Sequence, residues 1–151
     1  MSRSPINVLV YPYRIGDGEF EYALLKRSDA GYWQAVAGGA EGDETPLQAA
    51  QRETWEETDI SPDSSFLQLD TVFSVPVTEF KDSYLWGEHI YVIPQYCFGV
   101  LAQDKQITLS REHTDYKWLK YEDARSLLKY DGCKTALWEL DRRLRGLGPR
   151  D

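Results

Sequence analysis

A single helix with complete start and stop signals, set between runs of strand-forming residues, constrains the fold of this chain more than any other feature. Thr45 is a good N-cap, Pro46 suits the first helical position, and Gln48 completes a capping box. The pair Ser61-Pro62 ends the helix near Asp59, because the residue before a proline avoids the helical conformation. The sequence therefore predicts one helix in the first half of the chain whose two ends are fixed locally.

Strand-forming segments flank this helix on both sides. Residues 6–13 are β-branched and aromatic, and the turn at 16–18 leads into a returning run, so the two are expected to form a hairpin. The apolar run 33–37 is expected to stop at Gly38-Gly39, and residues 78–88 to form a polar and aromatic loop. Because strands outnumber helices and come as hairpins, the class is α+β, with helices packed on a mixed sheet. The predicted strands are 6–13, 20–26, 33–37, 66–77, 89–101 and 116–119, and further helices are predicted over 121–128 and 134–145.

Length and charge limit the classes of function. The 151 residues fit one domain spanning 1–151, and 25 acidic against 17 basic side chains give a net charge of −8. An acidic surface disfavours binding to long nucleic acids and to anionic membranes. We expect neither a membrane helix nor a signal peptide, because the apolar runs are too short. Cys97 and Cys133 lack zinc or redox spacing, so we expect free buried thiols and a cytoplasmic location.

Much of the negative charge is local, because residues 38–60 hold seven acidic residues and one basic residue. Within this segment Glu53, Glu56 and Glu57 share one helix face, since side chains three and four residues apart are neighbours. The pattern alone leaves two interpretations open. It is either a solvated acidic face or a site for hard divalent cations, whose charge would relieve the repulsion.

Residues 38–60 resemble the Nudix box. In that pattern a glycine is followed after five residues by Glu, and after seven more by Arg-Glu, an apolar residue, any residue, Glu-Glu, any residue, Gly and an apolar residue. Thr54 stands where an aliphatic residue is usual. Asp59 replaces the glycine at the helix end, where aspartate tolerates the left-handed conformation. The matching positions are Gly38, Glu44, Arg52, Glu53, Glu56, Glu57 and Ile60.

The resemblance implies both a fold and a chemistry. The fold is an α/β/α sandwich in which the loop and helix of the box are followed by C-terminal helices. Nudix enzymes hydrolyse nucleoside diphosphates linked to another group. Two or three Mg²⁺ ions, or Mn²⁺, would be held by the Gly38 carbonyl and the three helix glutamates, and would align the substrate and activate water. Arg52, paired with Glu44, would orient these catalytic glutamates.

A later glutamate is the remaining catalytic candidate. The segment 110–119 looks like the loop and strand that supply a late glutamate in small nucleotide-cleaving members of the family. Glu112 is therefore expected to be a metal ligand or the general base, with a plain loop carboxylate as the alternative. His113 is a second candidate for the base, although a hydrogen-bonded structural histidine is the favoured interpretation.

The flanking segments bear on the substrate. Residues 32–34 and 112–119 resemble the Nudix branch that cleaves dATP and dihydroneopterin triphosphate, and the second segment also looks like diadenosine tetraphosphate hydrolases. Pro76 is associated with ADP-ribose hydrolases of the family and keeps that substrate open. Trp55 and Trp138, on the helices, are expected to pack in the interior. The candidate substrate-binding residues are Arg27, Trp33, Gly38, Gly39, Tyr84 and Trp86, with Lys26 and His89 as further candidates for phosphate binding and for stacking.

The expected partner is thus a small nucleoside polyphosphate or pterin triphosphate, and the chain is expected to be a monomer or a homodimer. An enzyme is favoured over a nucleotide-sensing Nudix domain, because such sensors usually lose glutamates of the box and this chain keeps all three with Arg52. A third interpretation, a protein-interaction domain that docks through its acidic helix, predicts no dependence on metal.

Overall fold

The computed structural model describes residues 2–150. Seven strands and three helices follow one another along the chain. Two short 3-10 turns, Val77–Glu79 and Lys81–Trp86, lie in the predicted loop between the fifth and sixth strands. The elements are β1 (Arg3–Gly16), β2 (Glu19–Arg27), β3 (Trp33–Gln34), β4 (Val36–Glu41), α1 (Pro46–Thr58), β5 (Phe66–Pro76), β6 (Val92–Leu101), β7 (His113–Lys120), α2 (Tyr121–Leu127) and α3 (Asp131–Leu144).

The strands form one mixed sheet in the order β3-β2-β1-β6-β5, with β4 paired to β1 and β7 paired to β2. β1 is long enough to serve two neighbours on one side: its first half pairs with β4 and its last residues pair with β2, both antiparallel. On its other side β1 runs parallel to β6, with Asn7 opposite Gln95. The α+β class with a mixed sheet is therefore confirmed.

Helices cover both faces of this sheet. Successive side chains of β1 point to opposite faces, and apolar side chains are buried on each. Val8 and Val10 belong to one buried cluster, which includes Ala50 of α1. Leu9 and Tyr11 point the other way, into a cluster formed with α2 and α3. The expected α/β/α sandwich is thus also confirmed.

Several local expectations hold, and others are wrong. Cys97 and Cys133 are free and buried, as expected. The Gly38-Gly39 pair lies inside β4 instead of ending a strand, because β1 continues to pair with it. Trp55 and Trp138 were expected to pack in the interior, but they are 46% and 41% exposed. Among residues 2–150, no helix is long and apolar enough to cross a membrane.

Candidate active site

The acidic helix α1 is fixed at both ends by its own sequence. At its start the Thr45 hydroxyl accepts a hydrogen bond from the Gln48 amide (3.1 Å), and the Gln48 side chain accepts one from the Thr45 amide (2.9 Å). At its end Asp59 adopts a left-handed conformation with φ of 64°, and its amide donates to the Trp55 carbonyl. Aspartate therefore fills the position at which the Nudix pattern has glycine.

β4 brings Gly38 against the carboxylate of Glu53. A Cβ atom at position 38 would lie 2.1 Å from the Glu53 carboxyl carbon, which is far inside van der Waals contact. Only glycine lets the backbone approach the carboxylate this closely. At the next position a Cβ on Gly39 would lie 2.0 Å from the Arg3 guanidinium, so this stretch of β4 is closely covered on both sides.

Arg52 ties the loop before α1 to the glutamates of the helix. Its guanidinium donates two hydrogen bonds to Glu44, at 2.8 and 3.0 Å, and one to the Gly39 carbonyl at 2.7 Å. A further nitrogen donates to Glu53 (3.0 Å) and to Glu56 (3.2 Å). These partners raise the pKa of Arg52 and lower that of Glu44, so both groups remain charged. Arg52 therefore fixes the orientation of the Glu53 and Glu56 carboxylates.

The glutamates differ in their exposure to solvent. The side chain of Glu56 is 55% exposed, whereas those of Glu53 and Glu57 are 15% and 4% exposed. Burial, with repulsion from Glu56 and Glu112, raises the pKa of Glu53 to about 7 despite the opposing effect of Arg52. Burial, with repulsion from Glu53 and Glu112, raises the pKa of Glu57 to about 9. One Glu57 oxygen accepts a hydrogen bond from the Ala37 amide (3.3 Å).

The loop before β7 delivers Glu112 to this cluster. The Ser110 amide donates to the Glu57 carbonyl near the end of α1, and the Ser28 amide, which follows β2, donates to the Glu112 carbonyl. Glu112 itself is exposed, and its carboxylate contributes to the raised pKa of Glu57. The structure thus brings this late glutamate to the face of α1 that carries the box glutamates.

His113 lies beneath Glu112. Its side chain is 1% exposed, and its Nε2 is 3.9 Å from a Glu57 oxygen. The expected hydrogen-bonded histidine is wrong, because neither ring nitrogen has a hydrogen-bond partner within residues 2–150. Burial lowers the pKa of the ring, which favours its neutral form.

The donor set suits a hard divalent cation, for which carboxylate and carbonyl oxygens are the preferred ligands. Two buried carboxylates and two exposed ones share this region, and Arg52 is the cation hydrogen-bonded to Glu53 and Glu56. As the side chains stand, no three His, Cys, Asp or Glu residues of 2–150 converge closely enough to enclose an ion. Arg52 holds the Glu53 and Glu56 carboxylates, and Glu112 lies exposed at the edge of the cluster.

A cavity of about 360 Å³ opens beside the glutamates. Ala37, whose amide binds Glu57, lines it, as do the predicted substrate-binding residues Arg27 and Trp33. The Arg27 guanidinium is held by two hydrogen bonds to Asp29, at 2.7 and 2.8 Å. Pro76 is also part of the wall.

The two aromatic candidates from the loop do not line this cavity. Tyr84 is 76% exposed. Trp86 packs on Phe80 and donates from its ring nitrogen to the Arg3 carbonyl at 2.9 Å. Trp86 therefore holds the beginning of β1, and His89 is exposed beyond it.

Three further polar residues at this site do not belong to any motif of the sequence. Arg3 covers Gly39, and Asn7 and Gln95 lie buried at the base of the cavity. A usable signal is present, because Asn7 is the one amide or charged residue of the predicted strand 6–13, and Gln95 is the one of Val92–Leu101. Their pairing depends on the parallel contact between β1 and β6, which local patterns do not reveal.

Comparison with known proteins agrees with this geometry. The NUDIX domain family matches residues 4–136. Dihydroneopterin triphosphate diphosphatase of Escherichia coli is 32% identical over 131 residues, covering 84% of this chain and 85% of the relative. An asymmetrical bis(5'-nucleosyl)-tetraphosphatase of Sus scrofa is 29% identical over 127 residues, covering 83% and 82% of the two chains. The structure of a NUDIX hydrolase from Listeria monocytogenes superposes with a TM-score of 0.85 at 37% identity, over 95% of this chain and 96% of that chain. The chain therefore belongs to the Nudix family of hydrolases, enzymes that split phosphoanhydride bonds.

Proposed function

We propose that this chain is a divalent-metal-dependent pyrophosphohydrolase that cleaves a nucleoside triphosphate or dihydroneopterin triphosphate to the monophosphate and pyrophosphate. The observation that carries the proposal is the cavity beside the glutamates, since Ala37 belongs to its wall and also binds Glu57. A ring seated in the cavity would place its phosphate chain over the carboxylates. The E. coli relative, named for dihydroneopterin triphosphate, supports this substrate class.

In this proposal Glu53, Glu56 and Glu57, with the Gly38 carbonyl, would hold two or three Mg²⁺ or Mn²⁺ ions. When bound, the metal supplies neutralisation of the phosphate charge and a lowered pKa for the attacking water. The protein's part is to orient these carboxylates, to exclude water around the buried pair and to accept a proton. The proton acceptor is assigned to Glu112, because it is exposed at the edge of the cluster and free to meet a water molecule.

Arg52 and Glu44 act on the glutamates and not on the substrate. Their bidentate pair fixes the guanidinium, which then holds Glu53 and Glu56. Arg27 stands at the cavity wall and is assigned to the phosphate chain, and Trp33 to the ring. The partners are then small anionic molecules. The cytoplasmic location and the monomeric or homodimeric state stay predictions.

A substrate panel tests the proposal directly. It contains dNTPs, dihydroneopterin triphosphate, diadenosine tetraphosphate and ADP-ribose, each incubated with Mg²⁺ in ¹⁸O water and analysed by mass spectrometry. We expect monophosphate and pyrophosphate from the triphosphates, with ¹⁸O in one product. Preferred cleavage of ADP-ribose would favour the alternative suggested by Pro76, and preferred cleavage of the dinucleotide would favour the activity named for the Sus scrofa relative.

Metal titration separates the enzyme from the two non-catalytic alternatives. Calorimetry should show Mg²⁺ binding that is lost in Glu56→Gln, and turnover of Glu56→Gln or Glu57→Gln should fall by orders of magnitude while the fold survives. Binding of nucleotide without turnover in the wild-type protein would identify a sensor. Absence of Mg²⁺ binding would leave the acidic helix as a docking face.

A further inference from the structure

A pair of buried amide side chains lines the cavity. Asn7 and Gln95 face each other across the parallel β1–β6 pair and are 5% and 7% exposed. Around them the lining includes Leu9, Phe73 and Phe80. Buried amides are costly unless their hydrogen-bonding groups are satisfied, so their orientation has consequences for any ligand.

Arg3 fixes which way both amides point. Its guanidinium donates to the Asn7 side-chain oxygen at 2.6 Å, and a guanidinium has only donors. The oxygen of Asn7 must therefore face Arg3, and its amino group must face Gln95. Asn7 donates in turn to the Gln95 side-chain oxygen. The amino group of Gln95 is left at the far end of this chain of hydrogen bonds.

Arg3 is held in place by neighbours on several sides. Its guanidinium lies 4.6 Å from the centre of the Phe80 ring and 5.9 Å from that of Trp86. Trp86 also binds the Arg3 carbonyl, and Gly39 leaves the guanidinium the space it occupies. The donor direction of the chain is thus imposed by a rigid cation.

The Gln95 amino group has no acceptor among residues 2–150, although nine-tenths of the residue is buried. Gln95 lines the cavity, so this group offers two N–H donors to whatever occupies it. A ligand ring must therefore present acceptors at this point. A ring that presents an amino group instead would leave two donors facing each other in a buried site.

Common heterocycles differ at this edge. At its major-groove edge guanine presents two acceptors, O6 and N7, whereas adenine presents an amino group at C6 beside N7. In a 7,8-dihydropterin, O4 and N5 form the same acceptor pair as O6 and N7 of guanine. We propose that Gln95, oriented by Arg3 through Asn7, is a specificity-determining residue that selects 6-oxopurine or 4-oxopteridine triphosphates over 6-aminopurine triphosphates. This inference rests on the proposed function and narrows its substrate class.

The test compares dITP with dATP, because hypoxanthine and adenine differ only in the group at C6 and in the proton on N1. We expect the wild-type enzyme to favour dITP in kcat/KM by about 10- to 100-fold, as a mispaired buried donor predicts. Gln95→Leu removes the Gln95 donors and should lower the ratio of dITP to dATP. Gln95→Glu replaces the donor by an acceptor of the same shape and should shift the ratio towards dATP.

A matched control is Gln68→Glu, which makes the same change at an exposed position of β5 outside the cavity. It should leave the ratio as in the wild type. A loss of stability alone would lower kcat/KM for both substrates by the same factor. A shift of the ratio towards dATP in Gln95→Glu therefore reports recognition of the ring and not a folding defect. A wild-type preference for dATP, or a ratio that Gln95→Glu does not change, would overturn the inference.

Equilibrium binding of the non-hydrolysable α,β-imido analogues of dITP and dATP to the wild-type protein in Mg²⁺ distinguishes recognition of the ring from catalysis. Hydrolysis of dITP and dATP at equal rates would support the pyrophosphohydrolase activity and would contradict the role of Gln95. Tighter binding of the dITP analogue, with no hydrolysis of either triphosphate by the wild-type protein, would support the role of Gln95 and would contradict the pyrophosphohydrolase activity.

Discussion

Replacing Glu57 by glutamine should stabilise the metal-free protein while it abolishes turnover. The side chain is 4% exposed, and its pKa is raised from 4.5 to about 9. Because the folded-state pKa lies above the unfolded one, the folded chain binds the proton more tightly. Its contribution to stability is fully present below about pH 4.5 and is lost as the pH rises towards 9. Glutamine cannot ionise and still has an oxygen to accept the Ala37 hydrogen bond.

The size of the effect follows from the separation of the two pKa values. At 1.36 kcal/mol for each pKa unit, Glu57 costs the folded state about 1 kcal/mol at pH 5 and about 3 kcal/mol at pH 7. Urea denaturation of both proteins in EDTA at these two pH values measures it. Glu57→Gln should be more stable by these amounts, and the difference should grow with pH. Saturating Mg²⁺ should stabilise the wild type more than the variant.

Glu56→Gln is the control, since it removes the same charge one residue earlier at a position that is 55% exposed. Its stability should stay within about 0.5 kcal/mol of the wild type, as is usual for surface changes. If Glu57→Gln in EDTA at pH 7 were no more stable than the wild type, the burial cost assigned to this carboxylate would be wrong.

Three further substitutions probe the site and the core. Gly38→Ala should lower turnover by at least about 100-fold, because its Cβ would lie 2.1 Å from the Glu53 carboxyl carbon and would displace that carboxylate. The circular dichroism spectrum should stay as in the wild type. The control Gly148→Ala, whose Cβ would have no atom nearer than 3.8 Å, should have wild-type turnover. Arg52→Lys should weaken Mg²⁺ binding in calorimetry by about 10- to 100-fold, since lysine cannot replace the bidentate pair with Glu44; unchanged affinity would contradict the positioning role. Tyr11→Phe should cost about 1–3 kcal/mol in urea denaturation, because the buried Cys133 carbonyl loses its 2.8 Å donor; an unchanged midpoint would show that water replaces the hydroxyl.

The sequence predicts α1 well because its limits depend on neighbours in the chain. The Thr45–Gln48 box and the left-handed Asp59 are local interactions, and the structure has both. The tryptophans on the helices are predicted wrongly because their burial depends on what packs across from them. Trp138 faces outward, with the Arg142 guanidinium 5.5 Å from the centre of its ring. α1 packs on the sheet through small side chains such as Ala50, which leaves Trp55 at the surface.

The residues of the site also differ in whether neighbours in the chain or distant strands determine their position. The residues of the box lie close together in sequence, so a short pattern identifies them. The floor of the cavity joins β1 to β6, 88 residues apart along the chain. Only the parallel register of these strands sets Asn7 opposite Gln95. A single amide residue within an apolar segment, such as Asn7 or Gln95, indicates a buried polar group. The pattern does not indicate which residue it pairs with.

The two halves of the site impose different demands on one ligand. Around α1, Arg52 contributes a single positive charge against Glu44, Glu53 and Glu56, and the exposed Glu112 adds to the excess of carboxylates. A triphosphate brought to this surface alone would be repelled, so its phosphates require divalent cations between them and the protein. The Asn7–Gln95 pair in the cavity wall is instead uncharged and presents oriented donors, which act on the ring whether or not metal is bound. Metal thus governs whether a phosphate chain can approach, whereas Gln95 governs which ring it may carry.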